Sequence, residues 1–365
     1  MTDETQTETP ETMFERDIKL MYDGKSPFFN RIRLRRLADE LSMHRQGLIK
    51  ENKIILKNLK GQDVELILDP DQPSIFEDWR CNHGDRRRDP YIYYRCIQKM
   101  ATHGDMKWFD ARQAYLPFVV LYPDPTEFNH EHEETGSFPH SYTTEELGVI
   151  FKLGQENWET CLPYRNIRQT IRSLRPALCN VSKIVAFGCG PLSHRRSKDD
   201  YSITQHALVL SLQKILTRMK PENIGFRAAI REVLSKGGEF DGLDNVVRCI
   251  AQDPAYTDID KEVLKDRGFV IEYDPRGFLA IDDRTVVVSI SVNTPVQQII
   301  CDIARPVAII QMKVIKGWSD EGGQNCSDAR SSRVNEMLAN EYELVTLDYH
   351  PRLRDIEMYV RKSSH

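Results

Sequence analysis

Residues 183–194, "KIVAFGCGPLSH", decide the fold. Four apolar residues, Ile184 to Phe187, run into a Gly-Cys-Gly turn, and a helical pattern starts a few residues later. This is how a strand enters a ligand-binding turn and then a helix. Glycines at 188 and 190 let the backbone approach a ligand closely. N–H groups that follow, aided by a helix N-terminus, favour an anion.

Downstream, the same type of unit recurs. "VVRCIAQDP" is a second apolar strand and ends at Asp253. Thr257 has N-cap chemistry for a helix that stops at Gly268. "FVIEYD", "TVVVSISV" and "PVAIIQMKV" read as strands three to five. A helix is expected from Ser327 to Asn340, then two strands, "YELVTLDYH" and "DIEMYVRK", around a "PRLR" turn. Short β-branched runs separated by helices indicate a parallel sheet buried on both faces. The fold expected is α/β: a Rossmann-like, mostly parallel sheet with an antiparallel C-terminal edge, plus a mixed N-terminal extension.

Helix starts are read from capping spacing. Thr143/Glu146 and Ser202/Gln205 have capping-box spacing, and Thr294, Pro295 and Gln297 read as N-cap, first helical residue and box partner. The Ser202 helix carries Ile203, Ala207, Leu208, Leu212 and Ile215.

Toward the N-terminus the pattern is looser. "MTDETQTETPET" is acidic and lacks the apolar core of a signal peptide, so residues 1–15 read as a disordered tail. Residues 28–50 look helical, with Ile32, Leu34, Leu37, Leu41 and Leu48 on one face. "IILKNL" and "VELIL" around Lys60-Gly61 suggest a hairpin. "DPYIYYRCIQKMA" fits helix or strand. The domain reading is tail 1–15, an N-terminal region 16–180 and a Rossmann-like domain 181–365.

Bulk properties narrow the function classes. The chain has 365 residues, 40% hydrophobic and 29% charged, with a net charge of −5. Such a balance exerts no global pull toward nucleic acid or anionic membrane. No apolar run reaches the ~20 residues of a membrane-spanning helix. Eight cysteines are scattered without zinc or redox spacing. Reduced thiols and a cytoplasmic and/or nuclear location are therefore expected.

Candidate site residues cluster at the expected carboxyl ends of the strands. They are Gly188, Cys189, Gly190 and Ser193 in the first turn, Asp253 after strand two, and Asn293 and Thr294 after strand four. An acid at the position of Asp253 can hold a ribose hydroxyl. The dinucleotide fingerprint is incomplete: Ser193 stands at the third glycine position, and Asp253 comes far later than ~20 residues after the glycines. The plainer reading is a tight turn into a helix. Cys189 sits where a thiol pKa can fall, or is a small residue filling the turn. His194, Arg195, Arg196 and Lys198 suit an anion clamp or a solvated loop. His130, His132 and His140 are a compositional hint of metal in a polar loop without fixed geometry, and no metal site is assigned. "RIRLRR" and "DRRRD" read as solvated basic faces.

On "IVAFGCGPLS", "SITQHALVLSLQ" and "CIAQDPAYTDIDKEVLKDRGFVI", the C-terminal half resembles the SRR-like family, named for "sensitivity to red light reduced". The resemblance covers about residues 181–315, and "DGKSPFF" gives the layout the look of fungal members. Plant and animal members usually carry a Pro-His-Cys turn after strand four; here Val292-Asn293-Thr294-Pro295-Val296 stands there, so chemistry done by that turn is not expected. The resemblance implies regulation: light signalling and circadian output in plants, microtubule-related phenotypes in yeast, links to haem metabolism in animals.

Three functions follow. One is a non-enzymatic regulator sensing a nucleotide or other small anion. Another is a methyltransferase-like enzyme using S-adenosylmethionine, suggested by the antiparallel edge but lacking an acid just before Gly188, where Ala186 and Phe187 stand. The last is a structural interaction module. Protein partners and a small-molecule ligand are expected; the cofactor is left as S-adenosylmethionine or another nucleotide.

Overall fold

A computed structural model of the chain describes residues 10–48, 53–68, 90–101, 111–121, 142–193, 201–220, 246–313 and 328–363. The central sheet has seven strands: β5 (Lys183–Phe187), β6 (Arg248–Gln252), β7 (Phe269–Ile271), β8 (Thr285–Ser289), β9 (Ala308–Met312), β10 (Tyr342–Thr346) and β11 (Ile356–Arg361). Their order is β10-β11-β9-β8-β5-β6-β7. β7, β6, β5, β8 and β9 pair in parallel, and β11 pairs antiparallel with both β9 and β10. The Rossmann-like architecture and the antiparallel edge are therefore present. The switch of strand order lies between β5 and β8, beside the glycine turn.

β5 and β8 are buried along almost their whole length because both faces of the sheet are covered. One face holds Ile184, Ala186, Val286 and Val288 against α4 (Thr144–Thr160), α5 (Leu162–Ser173), α7 (Tyr201–Met219) and α8 (Asp258–Asp266). Between α5 and β5 lies the short α6 (Arg175–Leu178). The other face holds Val185, Phe187, Val287 and Ile309. It is covered by α1 (Pro10–Asp23), α2 (Arg31–Arg45), α9 (Arg276–Ala280), α10 (Val296–Ile303) and α11 (Ser332–Glu341). A hairpin, β1 (Lys53–Lys57) with β2 (Asp63–Ile67), and an antiparallel pair, β3 (Tyr91–Tyr94) with β4 (Phe118–Leu121), join this layer. The short α3 (Ile97–Ala101) follows β3. So "DPYIYYRCIQKMA" supplies both a strand and a helix.

Several expectations are corrected. The tail reading fails for residues 10–15, which belong to α1, with Phe14 only 2% exposed. Residues 1–9 lie outside the described part. The stretch 16–180 is divided between the two faces of the sheet: its first part joins one core and α4 to α6 the other. In α2 the apolar face is Leu34, Leu37 and Leu41, whereas Ile32 is 83% exposed and Leu48 lies beyond the helix. The helix instead starts at Asn30, whose side chain accepts from the Arg33 N–H.

Capping boxes form at Thr143/Glu146 and at Thr257/Asp260. Gly268, at φ +87°, ends α8 as expected. The Ser202/Gln205 box does not form. Ser202 lies inside α7 and gives its hydroxyl to the Gly190 carbonyl. At α10, Pro295 is the cap residue and makes no side-chain cap bond. Gln297 there turns to Asp328 instead: its N–H donates to Oδ1 at 3.0 Å.

Candidate functional site

Strand β5 ends where the chain must reverse toward α7. Gly188 and Gly190 both take left-handed conformations, at φ +62° and +77°. That region costs a residue with a Cβ about 1–2 kcal/mol. At Gly188 there is a second reason: an added Cβ would sit 2.5 Å from Val292 Cγ1 and 3.1 Å from its Cα. The loop after β8 thus faces the turn through Val292. Asn293 is exposed and Thr294 half-buried. At Gly190 an added Cβ would meet Ser202 at 3.7 Å, an ordinary contact.

The donors of the turn have partners within the chain. Gly188 N–H donates to the Gln252 carbonyl at 3.2 Å. Gly190 N–H donates to Asp253 Oδ2 at 2.7 Å. Ser193 N–H and hydroxyl both donate to Asp260, at 2.8 and 3.1 Å. The other Asp253 oxygen accepts from Ala255 N–H at 2.8 Å. A carboxylate therefore occupies the place expected for an anion, and a second one braces Ser193. A phosphate here would displace Asp253 and face two negative groups. Desolvation raises the Asp253 pKa, and the backbone donors from Ala255 and Gly190 oppose that rise. Its carboxylate has about four acceptor sites, so it can accept further hydroxyls.

Cys189 is 2% exposed, and burial pushes its thiol pKa up, with the Asp253 charge adding to the rise. It fills the turn as a buried thiol. Beneath it His206 is fully buried, its Nδ1 2.7 Å from the Ser202 carbonyl and its Nε2 2.7 Å from the Tyr256 hydroxyl. A carbonyl only accepts, so Nδ1 carries the proton and Nε2 accepts from Tyr256. Burial lowers the His206 pKa to about 4.

Beside the turn, the end of β6 meets the N-terminal layer. Gln252 accepts from Gly277 N–H at 2.7 Å and donates to Asp274 at 2.9 Å. Tyr94 donates to the same Asp274 oxygen at 2.6 Å. Burial raises the Asp274 pKa to about 7. Phe278 stacks on Phe187 with ring centroids 4.5 Å apart. Tyr94 meets Phe278 edge-on at 5.5 Å.

Of the predicted residues, Gly188, Cys189, Gly190, Ser193 and Asp253 come together; Asn293 and Thr294 stay in the neighbouring loop. Gln252, Asp260, His206, Asp274 and Tyr94 were missed. Only Asp260 had a local signal, its capping position after Thr257. His194, Arg195, Arg196, Lys198 and the His130, His132 and His140 group lie outside the described residues, as does "DRRRD". Among the described residues no cluster of His, Cys, Asp or Glu is placed to hold a metal. No helix among them is long and apolar enough to cross a membrane.

Fold and turn together define a Rossmann-like α/β protein. Residues 167–333 match the family model described as the SRR1 domain, which supports an SRR-like domain over that stretch. The match runs from α5 to α11 and so includes helical structure before β5. No curated protein matches the chain. Among solved structures, the crystal structure of cofactor-bound Rv0187 from MTB is similar at 10% identity, over 64% of this chain and 94% of that one, with a TM-score of 0.30. That score carries no argument about ligand or activity.

Proposed function

We propose that the chain is a non-catalytic regulatory protein in which the sheet is a scaffold and the glycine turn is held shut from within. The observation that carries this reading is the 2.7 Å bond from Gly190 N–H to Asp253. It puts a fixed negative group where a phosphate would bind. The two reactive side chains nearest the turn are quenched: Cys189 as a buried thiol, His206 as a neutral imidazole with both nitrogens bonded. Protein partners and a cytoplasmic or nuclear location belong to the same proposal.

A second reading has one specific support. The strand order places an antiparallel strand next to the fifth, the edge expected of a methyltransferase-like protein. Asp253 then stands at the end of the second strand, where it can accept ribose hydroxyls.

Thermal shift of the full chain with NAD(P), ATP, haem and S-adenosylmethionine separates the two. A ligand at 100 times its Kd adds about 2.7 kcal/mol. The regulatory reading expects no shift with NAD(P) or ATP. Stabilisation by either overturns the closed turn. A shift with S-adenosylmethionine alone that Asp253→Asn abolishes establishes the second reading instead.

A further inference from the structure

On the face covered by the N-terminal layer, the carboxyl ends of β8 and β9 and the amino end of the antiparallel β11 carry polar side chains in register. Ser289 pairs with Gln311, and Gln311 with Glu357. They are 3%, 1% and 7% exposed. Two residues away on the same face stand Val287, Ile309 and Tyr359. Polar groups in such a layer are costly unless paired.

Part of this row is paired. Gln311 Nε2 donates to Glu357 Oε1 at 3.1 Å, and Arg330 reaches the same oxygen at 2.5 Å. Gln297, 4% exposed, holds Asp328 through its backbone N–H and its amide. Asp328 leads directly into Arg330, so both groups belong to one patch. Yet Ser289 Oγ, Gln297 Oε1, Gln311 Oε1 and Arg330 Nε are buried without a hydrogen-bond partner among the described residues.

We propose that these four atoms form a recognition site for a small primary amine that also carries a hydroxyl. Two of the open atoms only accept, one hydroxyl accepts or donates, and Arg330 Nε only donates. An ammonium group answers the acceptors, and a neighbouring hydroxyl oxygen answers Arg330. The patch holds two carboxyl groups, Asp328 and Glu357, against one guanidinium; burial raises the Asp328 pKa to about 7, and an incoming ammonium would favour its charged form. An anion would meet the opposite balance. The site lies across the β5/β8 switch from the glycine turn and goes beyond the closed-turn reading.

The probe is 2-aminoethanol, titrated calorimetrically into the full chain. Binding is expected, whereas tetramethylammonium, which has the charge but no N–H, and acetate do not bind. Ser289→Ala and Gln311→Met, each checked for cooperative melting, weaken the Kd about tenfold or more, the loss expected for a buried bond to a charged group. Asp253→Asn leaves it unchanged, which separates this site from the turn. No heat with 2-aminoethanol, or equal affinity in Ser289→Ala and Gln311→Met, overturns the proposal and leaves the four atoms to water.

Discussion

Two neighbouring regions of one sheet edge treat buried polar groups in opposite ways. Around Gly190, the donors of Gly188, Gly190 and Ser193 are answered by a backbone carbonyl, Asp253 and Asp260. Around Ser289, four polar atoms are buried without such answers among the described residues. The backbone shape of a binding turn therefore lies on one side of the β5/β8 switch, and the unmet hydrogen-bonding capacity on the other. Shape alone is a poor guide to where a Rossmann-like sheet still has room for a ligand. Polar satisfaction is the better one, because an unpaired buried group costs about 1–3 kcal/mol.

The largest effect is expected at Gly188. Gly188→Val combines a left-handed backbone with a Cβ 2.5 Å from Val292. Left-handed strain and overpacking together cost about 4 kcal/mol. Gly190→Ala has the strain without the clash and costs about 1–2 kcal/mol. Urea denaturation checks both. Equal losses at the two positions would mean that Val292 yields, and that the turn is not closed by the loop after β8.

The next effect is a pH dependence. His206 has a folded pKa of about 4 against 6.5 for the free side chain. Between those values the unfolded chain binds more protons, so this residue makes stability rise with pH up to about 6.5. One pKa unit is about 1.4 kcal/mol, so acidification to pH 4 costs about 3 kcal/mol through His206. Asp274 and Asp328, both raised to about 7, act in the opposite sense, losing stability as pH rises through that value. The histidine is isolated by subtracting the profile of His206→Gln, which keeps a partner for Tyr256. A difference that stays flat from pH 7 to 4 would show that His206 reaches solvent.

Much of this framework was legible in the sequence, and the reasons divide cleanly. The strands showed because a parallel sheet covered on both faces needs continuous apolar runs, as in Thr285–Ser289 and Lys183–Phe187. Thr143 and Thr257 showed because a capping box is complete within four residues. Ser202 and Thr294 have similar local signals, but distant groups reassign them: Gly190 takes the Ser202 hydroxyl, and Asp328 takes the Gln297 N–H. The turn's lock joins residues 63 apart, and Tyr94 meets Asp274 across 180 positions. No spacing rule reports such pairs, so the glycines were visible and their partners were not.

Asp253→Asn tests the closed side of the comparison more gently. The amide can accept from only one of Gly190 and Ala255, and its NH2 then faces the other N–H. A loss of about 2 kcal/mol is expected, the range for a hydrogen bond to a charged group. A neutral outcome in chemical denaturation would mean that the turn holds its shape through the glycines and Ser202 alone.

The smallest effect falls on the open side and has the opposite sign. Ser289→Ala removes a buried hydroxyl that has no protein partner among the described residues. In the absence of ligand the variant should be as stable as the parent or up to about 1 kcal/mol more stable, because the desolvation of that oxygen is no longer left uncompensated. Loss of a satisfied hydroxyl would instead destabilise by about 1 kcal/mol. The sign of the change, read beside Asp253→Asn in the same assay, is therefore informative even where its size is small. Opposite signs support one edge with a sealed side and an open side; two losses of similar size would place water or another partner on Ser289 and erase the distinction.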